Sequence, residues 1–127
     1  MIDHLGINCA DLERAATFYD AVLGVLGHRR LLEYDVAIGY GTTKPDFWIG
    51  RQPDEGPASG PNREIHVAFT AESADAVREF FSVAVEHGAE VLHEPRHFPE
   101  YHDHYFGAFV RDPYGNNVAA VCHTVAP

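Results

Sequence analysis

Apolar and polar positions follow one pattern that the chain states twice. Leu12, Ala15, Tyr19, Val22 and Leu23 recur at the spacing of one helix face. Sixty-two residues later, Ala74, Val77, Phe81, Ala84 and Val85 repeat that spacing. Asp11 and Ser73 stand where N-cap side chains belong, and Glu13 and Asp75 follow in the first turn, where the helix dipole favours acids. Gly24 or Gly27 stops the first helix and Gly88 the second. Ahead of each helix lies a short strand, His4-Leu-Gly-Ile-Asn in one half and His66-Val-Ala-Phe-Thr in the other. Extended segments follow, at 30–40 and 47–49 in the first half and at 90–93, 105–111 and 117–122 in the second. Residues 41–46 have turn chemistry, and Asp112-Pro113-Tyr114-Gly115 has the residues of a type I turn that closes a hairpin. Between the halves, 50–63 holds three glycines and three prolines and reads as a linker. The expected architecture is α+β: two tandem βαβββ modules, about 1–50 and 64–127, in one domain spanning 1–127.

Composition narrows the classes of function. The 127 residues are 46% hydrophobic and 22% charged, as in a globular chain. The formal net charge of −10 leaves no basic patch for phosphates or anionic lipid, so neither nucleic acid nor a membrane is an expected partner. No apolar run reaches the roughly 20 residues that span a bilayer. The N-terminus lacks the basic and apolar regions of a signal peptide. With Cys9 and Cys122 as the only cysteines, a reducing, cytoplasmic setting is expected. Nine histidines are the unusual feature, yet no paired zinc-protease motif, dinucleotide or phosphate loop, or nucleophile elbow is present.

The duplicated module with a histidine opening each half resembles the vicinal oxygen chelate superfamily, which includes glyoxalase I, extradiol dioxygenases, fosfomycin-resistance enzymes and bleomycin-resistance proteins. The opening Ile2-Asp-His-Leu-Gly-Ile-Asn-Cys-Ala-Asp11, the pair Phe18-Tyr19 and the closing stretch from Tyr105 to His123 carry the resemblance to its glyoxalase-like branch. It covers essentially the whole chain. It implies a curved mixed sheet forming a cup, with the helices outside and, commonly, a homodimer. It also implies one metal ligand on the first strand of each module, here His4 and His66, and one on each last strand. The family carries a glutamate two residues beyond Asn117, where this chain has Ala119. The matching position in the first half falls at or beside Trp48. Without those carboxylates, glyoxalase I isomerisation and catechol cleavage are expected to be absent or very slow.

Two imidazoles make an incomplete site, since a catalytic zinc usually has three protein ligands and a non-haem iron needs a carboxylate. The polar segment 93–104, read as a loop over the cup mouth, offers His102 or Glu100 as a candidate third ligand. Zinc or nickel suits such a site ahead of iron. Strand alternation sends Leu5, Ile7, Val67 and Phe69 to the helices and His4, Gly6, Asn8, His66, Ala68 and Thr70 to the cup. If the last hairpin pairs Phe109 with Ala119, then Tyr105, Gly107 and Phe109 share that face, and His123 has the parity of Ala119. Trp48, Tyr101, Tyr105, Phe109 and Ala119 then line a pocket for a small, flat or partly apolar molecule. Two readings stay open. One is a glyoxalase-like enzyme, a metal-dependent lyase, isomerase or relative, acting on an oxygen-chelating substrate. The other is a metal-free protein of the bleomycin-resistance kind that sequesters a small molecule.

Overall fold

The computed structural model describes residues 1–51 and 65–123. The first module runs β1 (Leu5–Cys9), α1 (Leu12–Val25), β2 (Arg29–Tyr34), β3 (Ala37–Gly41) and β4 (Pro45–Arg51). The second runs β5 (His66–Thr70), α2 (Ala74–Glu86), β6 (Glu90–His97), β7 (Phe106–Arg111) and β8 (Asn117–Cys122). Each makes a mixed four-stranded sheet, in the orders β1-β4-β3-β2 and β5-β8-β7-β6. The first strand of each module pairs in parallel with the last, and the remaining pairs are antiparallel. Residues 52–64, which take in all but the first two positions of the linker, lie outside the described residues.

Both helix starts are capped as their sequences dictate. The Arg14 N–H donates to Asp11 Oδ1 at 3.2 Å, and the Ala76 N–H to Ser73 Oγ at 3.1 Å. Gly27, rather than Gly24, ends α1. It and Gly88 take φ values of +86° and +82°, the left-handed conformation that a side chain disfavours. The helix faces are wider than one stripe, because α1 and α2 pack on each other as well as on strands. Phe18 and Phe80, also 62 residues apart, are therefore buried, whereas Val85 is 43% exposed.

Two segments differ from the sequence reading. Residues 30–40 fold back at Asp35 and Val36 into the β2–β3 hairpin. The supposed loop from residue 93 is strand as far as His97, despite Pro95. A proline is tolerated there because β6 is the edge of its sheet, where one backbone donor need not be used.

One core joins the modules. Tyr19 meets Phe47 at 5.1 Å between ring centroids, and Phe47 meets Phe69 of the second module at 5.1 Å, edge to face. The Tyr19 hydroxyl donates to Asp112 Oδ2 at 2.7 Å. Asp112 also accepts from the Tyr114 and Asn116 N–H groups and from Asn116 Nδ2, which fixes the β7–β8 turn. The helix-bearing faces are given to this core, and the opposite, open face of each sheet points away from it.

Candidate functional site on the open sheet faces

The first open face is built around Trp48 and bare backbone. Gly6 lies opposite Trp48 across the β1–β4 pair, and Gly39 lies opposite it across the β3–β4 pair. A Cβ at Gly39 would stand 2.9 Å from the indole carbons Cζ2 and Cη2, so the ring lies where only glycine gives room. Tyr34 stacks on the indole at 6.2 Å, with planes 8° apart. The groove beside them, about 300 Å³, is lined by first-module residues alone, among them His4, Gly6, Asn8 and Trp48. His4 stands one residue before β1, exposed, with Nδ1 held by Asp3 Oδ1 at 2.7 Å. Hydrogen bonds from His4 and from Lys44 keep the Asp3 carboxyl below the usual range.

The second open face is almost wholly aromatic. The β7–β8 register pairs Phe109 with Ala119, as the turn chemistry predicts. His66 stacks on Phe109 at 5.8 Å, with planes 15° apart. His93 meets Phe109 edge-on at 5.5 Å and Phe98 at 5.6 Å. Phe98 touches Tyr101, Tyr105 and Phe109 at 5.4–5.6 Å, and the Arg96 guanidinium covers it at 3.7 Å. Phe98, Phe109, Ala119 and Val121 form a cluster of their own, apart from the shared core.

The sheet registers make Ala119 and Trp48 equivalents. Ala68 lies opposite Ala119 as Gly6 lies opposite Trp48, and Ala68 and Gly6 are 62 residues apart. Both positions at which a last-strand carboxylate would stand therefore hold a side chain without an oxygen. Ala119 is fully buried beside Phe98 and Phe109.

The two candidate third ligands face other partners. Glu100 pairs with Arg96 at 3.0 Å, and this hydrogen bond holds its carboxyl below the usual range. His102 Nε2 and His123 Nδ1 are 2.8 Å apart. Because His102 Nδ1 accepts from the His104 N–H at 3.1 Å, the His102 proton sits on Nε2 and donates to His123. His66 lies opposite Asn117 and stacks on Phe109, whereas His102 packs on Tyr105 and on His123 beyond the end of β8. Within one chain His102 and His66 are not brought together. His4 borders a second groove of about 300 Å³ at the seam with β5, lined by Asp46, Phe69 and Thr70 among others but not by His66. Among the described residues, no three His, Cys, Asp or Glu side chains are grouped so as to hold a metal ion. The donor set among the described residues of one chain does not fit a chelated metal.

A larger groove, about 760 Å³, lies elsewhere, between the start of α1 and the β2–β3 hairpin. Its walls, including Asp11, Glu13, Arg30, Glu33 and Arg51, are largely charged, and neither first-strand histidine reaches it. Chemistry rather than size therefore selects the open faces as the candidate site. Sequence reasoning placed Tyr101, Tyr105 and Phe109 on the second face but missed Phe98 and His93. Both follow from shifts of register in β6, between Val91 and His93 and between His93 and Arg96, which alternation does not foresee. No helix among the described residues is long and apolar enough to cross a membrane.

The family model described as Glyoxalase/Bleomycin resistance protein/Dioxygenase superfamily matches residues 1–120. Among solved structures, a glyoxalase/bleomycin resistance protein from Albidiferax ferrireducens is 26% identical, with a TM-score of 0.78, covering 96% of this chain and 98% of its own. A putative glyoxalase from Bacillus halodurans is 25% identical, with a TM-score of 0.74 and coverage of 96% and 95%. The lactoylglutathione lyase from Agrobacterium tumefaciens shares the fold at 19% identity, with a TM-score of 0.68 and coverage of 96% and 92%. No curated protein matches the chain significantly in sequence.

Proposed function

This chain belongs to the Glyoxalase/Bleomycin resistance protein/Dioxygenase superfamily, and from that premise we propose that it binds a small, flat molecule on its open sheet faces without a chelated metal. The observation that carries the reading is the fate of the two carboxylate positions. One is Trp48, laid over Gly39, and the other is Ala119, buried beside Phe98 and Phe109. Aromatic and small apolar side chains in both places favour stacking and apolar contact over oxygen chelation. The formal net charge of −10 on the chain as a whole further favours neutral or cationic ligands over anions.

In this proposal a second copy completes the cup, as a homodimer. Each open face is half of a cup, and the groove beside Trp48 draws on the first module alone. The setting is cytoplasmic, in keeping with just two cysteines, Cys9 and Cys122, both buried.

The test is calorimetric screening of flat heteroaromatic compounds, with and without EDTA, alongside metal analysis of the purified protein. A ligand is expected whose affinity ignores EDTA and falls at least about tenfold, about 1.4 kcal/mol, in Trp48→Ala. Near one metal per chain, lost in the His4→Ala/His66→Ala double variant, would overturn the metal-free reading.

One observation favours a second reading, a metal-dependent lyase or isomerase with His4 and His66 brought together between copies. Asp3 occupies His4 Nδ1 and leaves Nε2 with its lone pair outward, the arrangement by which carboxylates orient ligating histidines. Zinc or nickel would then be preferred to iron, and activity would be lost on chelation.

A further inference from the structure

Phe98 is a buried ring on an exposed strap. Only 1% of it is exposed, although Tyr101, three residues on, is 60% exposed. The strap, residues 98–105, closes on itself: the Phe98 N–H donates to the Tyr105 carbonyl at 2.9 Å, and the Tyr101 N–H donates to the Phe98 carbonyl at 3.0 Å. The His102–His123 hydrogen bond ties it to the end of β8. The ring rests on Phe109, Ala119 and Val121, a cluster separate from the core that joins the modules. Removing it would uncover that floor and leave the shared core closed. Above it lies a cation, Arg96, itself held by Glu100 of the same strap.

This seat has the attributes of a ring-binding site already filled from within. Its floor is an aromatic ring flanked by the methyl groups of Ala119 and Val121, its side is the ring of His93, and its roof is a guanidinium. Nothing in the seat is specific to a phenylalanine side chain, and any six-membered aromatic ring would meet the same surfaces.

We propose that Phe98 is an internal stand-in for the ligand: the strap lifts when the His102–His123 bond opens, and an aromatic ring of the bound molecule replaces Phe98 over Phe109, Ala119 and Val121. The inference rests on the small-molecule-binding reading above and adds to it the ring-sized seat and the element that guards it. Phe98 and the ligand then compete, so apparent affinity is reduced by the fraction of protein in the closed state. Any change that opens the strap without touching the seat must raise apparent affinity.

The experiment uses the full chain in EDTA and a neutral fluorescent probe, N-phenyl-1-naphthylamine. It is titrated into the wild type, His123→Ala and Phe98→Ala, with amide hydrogen exchange followed over 98–105. His123→Ala, which removes the tie and an edge contact with Tyr105 but leaves Phe109, Ala119, Val121, His93 and Arg96 in place, is expected to bind the probe at least about fivefold more tightly and to speed exchange at Phe98 and Tyr105. Phe98→Ala is expected to bind it about tenfold more tightly or better. Unchanged affinity and unchanged exchange in His123→Ala would overturn the proposal and make Phe98 a fixed core residue, whatever cavity Phe98→Ala opens. If Phe98→Ala does not fold, the His123→Ala result decides alone. Discovery of a bound metal would count against the function proposed above, but the probe titration in EDTA would still decide the strap. Failure of the strap would leave the Trp48 test standing.

Discussion

Trp48 owes its position to an absent methyl group. The indole lies against the backbone because Gly39 presents no Cβ, and one placed there would also stand 2.9 Å from Cβ of Pro45. Gly39→Ala should lift the ring from the sheet at a cost of about 1–3 kcal/mol, as overpacking does. Because Trp48 is the only tryptophan, its emission reads the change directly, and a red shift with a lower midpoint in urea is the expected result. Unaltered emission would mean that the indole does not depend on Gly39. Asp20 gives a second residue-scale prediction. Burial alone would raise its carboxyl, but hydrogen bonds from Arg30 at 2.7 and 2.8 Å and from Tyr40 at 2.7 Å together bring it below the ordinary range. The folded state therefore favours the ionised form. Its contribution is complete above the pH at which an unfolded aspartate ionises, about 4, and fades as pH falls through the lower folded value. Asp20→Asn should flatten the fall of stability with acid in that window, as followed by urea midpoints between pH 5 and pH 2.

At the scale of elements, the two helices are legible because their signals are local. Asp11 and Ser73 each accept a backbone N–H three residues on, and this needs nothing from the rest of the fold. Ser73→Ala should cost about 1 kcal/mol, read as a drop in thermal midpoint of several degrees for a chain of this size. Recovery with Ser73→Asp would tie the loss to the cap rather than to packing. The strands after α2 were harder to read for a physical reason. A Pro-containing, histidine-rich segment resembles a loop, and β6 is extended only because it is an edge strand paired to β7. Its shifts of register then put His93 and Phe98 on the open face, although the sequence around them does not alternate. The β7–β8 hairpin is the opposite case, with its register fixed by the four turn residues and read correctly from them.

At the scale of the whole molecule, buried aromatic rings and the buried hydrogen bond from Tyr19 to Asp112 help hold the modules together. Burial first, and the negative charge of Asp112 next, push the Tyr19 phenol well above its ordinary range, which favours the protonated form that donates to Asp112. Tyr19→Phe should cost about 2 kcal/mol, since it removes one donor to a charged acceptor while three others remain on Asp112. Asp112→Ala should cost more, about 3 kcal/mol or above, because it leaves several buried donors without an acceptor. Equilibrium unfolding in urea checks both, and equal losses in the two variants would show that the turn does not depend on Asp112.

By itself the sequence determined the duplication, the helix limits and caps, the last hairpin and the alternation that frees His4, His66 and their neighbours from the core. These rest on interactions within a few residues of chain, or on a period that a strand or helix must obey. It also showed that carboxylates are missing at Ala119 and near Trp48. Only the tertiary structure decided what fills those places, because that depends on side chains distant in sequence. Trp48 settles over Gly39, nine residues earlier, and Phe98 settles over Ala119, twenty-one residues later. Hydrogen bonds likewise gave Glu100 to Arg96, four residues away, and His102 to His123, twenty-one residues away, while His66 stacks on Phe109.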